Sequence, residues 1–259
     1  MTLPGLERYP RATAATNAAA QGVNVSAIRN PGRVAGLLYL LLMVAPFRLI
    51  YIPNKLFVPG DATATAHNIA AHEMMFRLGT VTDLFCGVVL IFLTLALYRL
   101  FVGVNRTAAV LVVILGGVLP SVIDFINSAN DGAALLLIRG ADYLSVFDEA
   151  QRYAMAYFFT RLHHQVIAGA EILWGLWLLP LGFLTYKSGF MPRLIGMWLY
   201  INGVTYVVIS LTALLLPEYE SKVFDLAQPL LLGEIAFMLW LIVRGATPPP
   251  APAIAAGSA

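Results

Sequence analysis

The sequence predicts an all-α integral membrane protein, a bundle of six transmembrane helices, and three observations carry that reading: an apolar excess, six long apolar runs, and no alternation within them. Apolar residues make up 59% and charged residues 12% of the 259-residue chain, with a mean hydropathy of +0.79. That leaves too few polar side chains to cover a water-soluble globule of this size, so lipid must solvate much of the surface. The apolar runs fall at about 33–51, 78–100, 107–127, 164–186, 194–216 and 226–243. Each is near the ~20 residues that cross ~30 Å of hydrocarbon at ~1.5 Å per residue. Backbone polar groups in lipid must pair within their own segment, and the period-two pattern of a barrel strand is missing, so the spans are helices.

Taken in chain order, residues 1–30 are rich in Ala, Thr and Asn and carry no apolar core, which reads as a disordered cytoplasmic tail. The first apolar run begins only after Arg33, so it is a retained span and not a cleaved signal. The membrane domain covers 31–245, and 246–259 is a second disordered tail rich in Pro and Ala. After the first span, Pro59, Gly60 and Asp61 predict a turn and a helix N-cap, followed by helix-forming residues 62–76. Residues 133–138 prolong the third helix, and Ser145 with Asp148 predicts a capping box that starts the fourth helix before it enters lipid. Together these segments form a helical cap outside the membrane. Gly189 suits a left-handed C-terminal cap and Pro192 a first helical turn, which sets the fourth-to-fifth connection. Pro46, Pro120 and Pro180, with Gly116 and Gly117, predict kinks, and Gly32 and Gly36 form a GxxxG pair whose place at the cytoplasmic edge gives a dimer contact little support.

Orientation follows from the basic residues at the span ends. Arg29, Arg33, Arg99, Arg106, Lys187, Arg193 and Arg244 share one side, whereas most of the acidic residues outside the spans lie on the other. The positive-inside rule then places both termini in the cytoplasm and the helical cap outside it.

Several function classes are set aside by composition. A formal net charge of +2 without a basic patch excludes a nucleic-acid role. A single cysteine, Cys86, allows neither an intramolecular disulfide nor a Cys-based metal site. No HExxH, GxSxG, phosphate-loop or dinucleotide fingerprint occurs, so no cofactor is expected and the balance is against an enzyme. His67 and His72, five residues apart, match no metal spacing; no metal is predicted unless distant helices converge.

The informative residues are the ionisable ones within the spans: Arg48, Asp83, Asp124, Glu171 and Glu234. Each costs roughly 2.5–3.5 kcal/mol at a helix centre, so such groups face protein or water. All of them fall within roughly 5–14 Å of the predicted extracytoplasmic surface, counted at the helical rise. That common depth predicts an acidic cavity open to the outside, with Arg48 available to pair one carboxylate. Glu171 and Glu234 are the deepest and have apolar neighbours; Asp83 and Asp124 lie nearer the interface. His164, seven residues before Glu171 on the same helical face, joins them as a proton-relay or ligand candidate, with His163 turned roughly 100° away.

Three stretches carry a family resemblance: NPGRVAGLLYLL at 30–41, PGDATATAHNIAAHEMMFRLG at 59–79 and GLWLLPLGFLTYKSGFMPRLIG at 175–196. In these the chain resembles the bacterial multi-pass proteins grouped as domain of unknown function 4386, over about residues 30–243. The resemblance implies a bacterial inner-membrane (plasma-membrane) protein and brings no catalytic residues with it. The function expected from the residues is binding or transport of a small molecule or ion through the acidic cavity, with the lipid bilayer as the other partner. The alternatives are a membrane-embedded enzyme acting on lipid or isoprenoid substrates at the outer leaflet, with Glu171 or His164 as acid or base, and an accessory or sensory subunit.

Overall fold

The computed structural model describes residues 30–248; the tails predicted at the two ends lie, but for their few innermost residues, outside the described residues. Among the described residues, six helices are long and apolar enough to cross a membrane: Pro31–Leu56, Glu73–Phe101, Arg106–Arg139, Glu149–Lys187, Arg193–Leu215 and Pro217–Val243. Among the described residues there is no strand. The chain is a six-span helical membrane protein. The third and fourth spans run to 34 and 39 residues, well past their apolar runs, because hydropathy marks only the stretch that meets lipid while the helix continues wherever its backbone stays paired.

Both described ends lie together at one end of the bundle. The Asn30 side chain accepts from Arg33 N at 3.2 Å, capping the first span, and from Ala246 N at 3.0 Å. Gly32 N also donates to Ala246 O at 3.0 Å. A Cβ at Gly32 would run into Ala246, and one at Gly36 into Ile242. The GxxxG face is therefore occupied inside the chain, by the sixth span, and leaves no room for the dimer contact.

Small residues also set the contact between the fourth and fifth spans. Gly175 and Gly182 of the fourth span oppose Gly203 and Gly196 of the fifth, where a Cβ at Gly203 would stand 2.8 Å from Gly175 O and one at Gly182 2.9 Å from Gly196 O. The seven-residue step on each helix returns the glycines to one face every two turns, and their absence of side chains lets the antiparallel backbones touch.

The bundle has two apolar cores. The one nearer the chain ends gathers Leu93, Leu97, Leu181, Leu184, Leu199 and Phe237; the other gathers Ile52, Leu56, Ile69, Phe76, Ala134 and Ile138. At that second end the predicted turn forms, with Gly60 at φ 79°. The Asp61 carboxylate accepts from Ala64 N at 2.8 Å and starts the helix Ala62–Ala71, which breaks at His72 before the second span begins. The capping box of the fourth span is built differently from the prediction. Asp148 itself caps Gln151 N at 2.8 Å and Gln151 reaches back to Asp148 N at 3.0 Å. Ser145 instead ends the preceding short turn, its N–H donating to Asp142 O.

Irregular turns fall where the sequence placed two of the three prolines. Pro46 precedes a π-helical turn at Phe47–Tyr51, and a second π-helical turn at Ile114–Val118 precedes Pro120. Pro180, in contrast, lies within the unbroken fourth helix. Gly189 has φ 72° just past the end of the fourth helix, as predicted, whereas Pro192, predicted for the first helical turn, stands one residue before it in extended conformation with ψ 128°. A further break divides the sixth span into Glu220–Ala227 and Leu232–Val243, with the Asn202 amide donating to Leu231 O at 3.1 Å across it.

Candidate functional site

Of the ionisable residues predicted within the spans, the two that meet, Arg48 and Asp83, do so in a cluster around the Arg48 guanidinium. Arg48 projects from the π-helical turn of the first span and is 3% exposed. Its Nε donates to Asp83 Oδ2 of the second span at 2.9 Å. Its Nη2 lies 3.0 and 2.9 Å from the two carboxylate oxygens of Asp131 on the third span. The same Nη2 is 2.8 Å from Nε2 of His163 on the fourth span. Four spans thus contribute to one buried network.

The neighbours fix how these groups are used. His163 Nδ1 is 3.2 Å from Asp131 Oδ1, so a neutral ring with its proton on Nδ1 donates to Asp131 while Nε2 accepts from Arg48; this is the hydrogen-bond assignment that uses both nitrogens. Thr80 Oγ1, one turn before Asp83, donates to Asp131 Oδ2 at 2.8 Å. The Asn127 amide donates to His163 O at 3.2 Å and accepts from Asn130 at 2.8 Å, tying the third and fourth spans beside the ring. Gly79 lets the arginine stem pass, since a Cβ there would stand 3.0 Å from Arg48 Cδ and collide with Ile52. The Arg48 guanidinium also lies 6.0 Å over the Phe76 ring.

Electrostatically the balance of the network turns on the His163 ring. One guanidinium faces two carboxylates; with the ring protonated the charges cancel, and with His163 neutral and both carboxylates ionised one negative charge is unbalanced. In a low-dielectric interior such an excess is costly, and a further positive charge relieves it. One ligand atom each from Asp83, Asp131 and His163 lies within 4.8 Å of the others, so the same side chains can gather around a small cation.

The remaining sequence-predicted residues lie apart from this network. Asp124 stands beside Gly87 of the second span, where a Cβ would be 3.5 Å from its Oδ2. Glu234 accepts the hydroxyl of Tyr39, whose ring stacks on Trp177 and meets Phe237 edge-on, each at 6.1 Å. Glu171 is half-buried and has no hydrogen bond or ion pair with another described residue. His164 is exposed and pairs with Glu220 at 3.2 Å, while His163, set aside in the sequence for facing away from Glu171, is the histidine that joins the network. The meeting carboxylates close on Arg48 and do not line an open cavity.

Sequence reasoning missed Asp131, His163 and Thr80. A signal existed: Asp124, Asn127 and Asp131 repeat at the three- and four-residue steps of one helix face. The apolar run ends at 127, and ending the membrane span with it placed Asp131 outside the bilayer, although the helix itself was expected to run on through 133–138.

Residues 34–245 match the family described as a domain of unknown function (DUF4386), which is most of the chain. An uncharacterized protein of Archaeoglobus fulgidus is 31% identical over 74 residues, 29% of this chain and 43% of that protein. The matched part thus spans less than half of that relative. No solved structure matches the chain.

Proposed function

This chain belongs to the family of the domain of unknown function DUF4386, and we propose that it binds a small cation at the buried Arg48, Asp83, Asp131 and His163 network and carries it across the bilayer. The observation that supports this most directly is that a cationic group already sits among two carboxylates and an imidazole at 2.8–3.0 Å, buried between four spans. Ionisable residues inside a membrane bundle are expensive and are kept where an ion or proton pathway needs them. The π-helical turns beside Pro46 and near Pro120 give the first and third spans local freedom to re-pair. In this reading the basic residues Arg33, Arg99, Arg106, Lys187, Arg193 and Arg244 hold the end bearing both termini in the cytoplasm of a bacterial inner membrane. Of the two acid or base candidates of the lipid-modifying enzyme reading, His164 is engaged with Glu220 on the exterior and Glu171 stands apart from the network.

The test is thermal unfolding of the full-length protein in detergent with sodium, potassium, ammonium, guanidinium, magnesium, manganese and zinc salts in turn. A cation bound at one hundred times its Kd stabilises by about 2.7 kcal/mol, a shift of several degrees. At least one of these cations is expected to raise the Tm of the wild type and to leave Asp131→Asn unmoved. If every salt shifts the two proteins alike, the cation site is ruled out.

A further inference from the structure

We infer that the cation taken by this network is a divalent first-row transition metal ion, held by Asp83, Asp131 and His163 once the Arg48 guanidinium withdraws. The inference rests on the cation-binding reading above and names the class of ion.

The donor set selects the class. An imidazole nitrogen is a poor partner for sodium, potassium or magnesium and a good one for zinc, iron or cobalt, while two carboxylates keep the site open to manganese as well. The spacing agrees. Ligands ~2.1 Å from a tetrahedral metal stand about 3.4 Å apart. One ligand atom each from Asp83, Asp131 and His163 lies within 4.8 Å of the others, with Nδ1 3.2 Å from Asp131 Oδ1 and Nε2 3.7 Å from Asp83 Oδ2, so a small ring or carboxylate shift brings three ligands around one ion. Either nitrogen can serve as the third ligand. Thr80 already orients Asp131 through its other oxygen at 2.8 Å, the outer support that metal-binding carboxylates use. Three protein ligands leave a coordination position open, which favours an ion that must also leave.

Charge decides between the two occupants. With Arg48 in place and the His163 ring neutral, as a metal ligand must be, the two ionised carboxylates keep one surplus negative charge; with a dication in place of the guanidinium they are balanced. The guanidinium is therefore a competitor bound to the same three side chains, and its withdrawal has a structural route. Arg48 rides on the π-helical turn Phe47–Tyr51, which holds one residue more than an α-turn. Relaxing it to α-geometry shifts the register by one residue, about 100° of rotation, and carries the arginine off this face.

Cobalt(II), whose visible absorption reports nitrogen and oxygen ligation, is the probe, titrated into the purified full-length protein in detergent. One cobalt per chain is expected in the wild type, binding at least tenfold tighter in Arg48→Gln, where the competitor is gone, and at least tenfold weaker in His163→Gln. If Arg48→Gln does not fold, the wild type against His163→Gln decides alone. Cobalt absorption in the wild type no greater than in the His163→Gln, Asp131→Asn double variant would overturn the inference. Stabilisation by a monovalent or organic cation in a protein silent toward cobalt would remove the metal and leave the cation site. Absence of both would remove both.

Discussion

Replacing Arg48 by Met keeps the length and apolar bulk of the side chain and deletes its charge. The structure sets the size of the effect. The substitution removes the bonds to Asp83 at 2.9 Å and to both oxygens of Asp131 at 2.9 and 3.0 Å, and leaves two carboxylates buried among four spans with no cation. Removing one partner of a buried pair costs about 3–5 kcal/mol, mostly because the other charge is stranded, whereas a neutral hydrogen bond between membrane helices averages only about 0.6 kcal/mol. Arg48→Met is therefore expected to lower stability by about 3–5 kcal/mol, read from the unfolding midpoint of the purified protein in mixed micelles of rising SDS fraction. Adding Asp83→Asn and Asp131→Asn removes the stranded charges and is expected to recover the stability to within about 1–2 kcal/mol of wild type, since uncharged replacements of a buried ion pair come near to neutral. A loss below about 1 kcal/mol for Arg48→Met, or a triple variant no more stable than the single, would refute the network as an ionised unit.

The two adjacent histidines should separate cleanly in the same assay: His163→Ala is expected to cost about 2 kcal/mol, because it strands donors and acceptors in the interior, while His164→Ala should stay within about 0.5 kcal/mol, as exposed pairs do. Gly182→Leu forces a side chain into the Gly196 carbonyl, so unfolding at a loss of about 1–3 kcal/mol or more is expected; a stable variant would mean the fourth and fifth spans are not in backbone contact. Tyr39→Phe withdraws the hydroxyl from Glu234 and should lower stability by about 1 kcal/mol, with Glu234→Gln partly compensating in the double variant. Asp148→Ala, which opens the capping box of the fourth span, should cost about 1 kcal/mol and show faster amide exchange confined to its first turn.

What the sequence determined by itself was the class of protein, the six spans and much of their punctuation. Apolar length is a one-dimensional quantity, and the hydrocarbon thickness converts it directly into a helix count. Turn chemistry is equally local: Asp61 caps, and Gly60 and Gly189 take positive φ, because each needs only its immediate neighbours. The seven-residue spacing of Gly175, Gly182, Gly196 and Gly203 was also present to be seen, although which helices it joined was not. Tertiary structure alone decided the site. Depth below a predicted surface put Arg48, Asp83, Asp124, Glu171 and Glu234 at one level, but a helix has a face as well as a height, and each residue turns through about 100°. That rotation, fixed by how the spans pack, brought Arg48 and Asp83 to Asp131 and His163, sent His164 to Glu220, and left Glu234 with Tyr39. Hydropathy reports how deep a charge is buried; only packing says which other charge it meets.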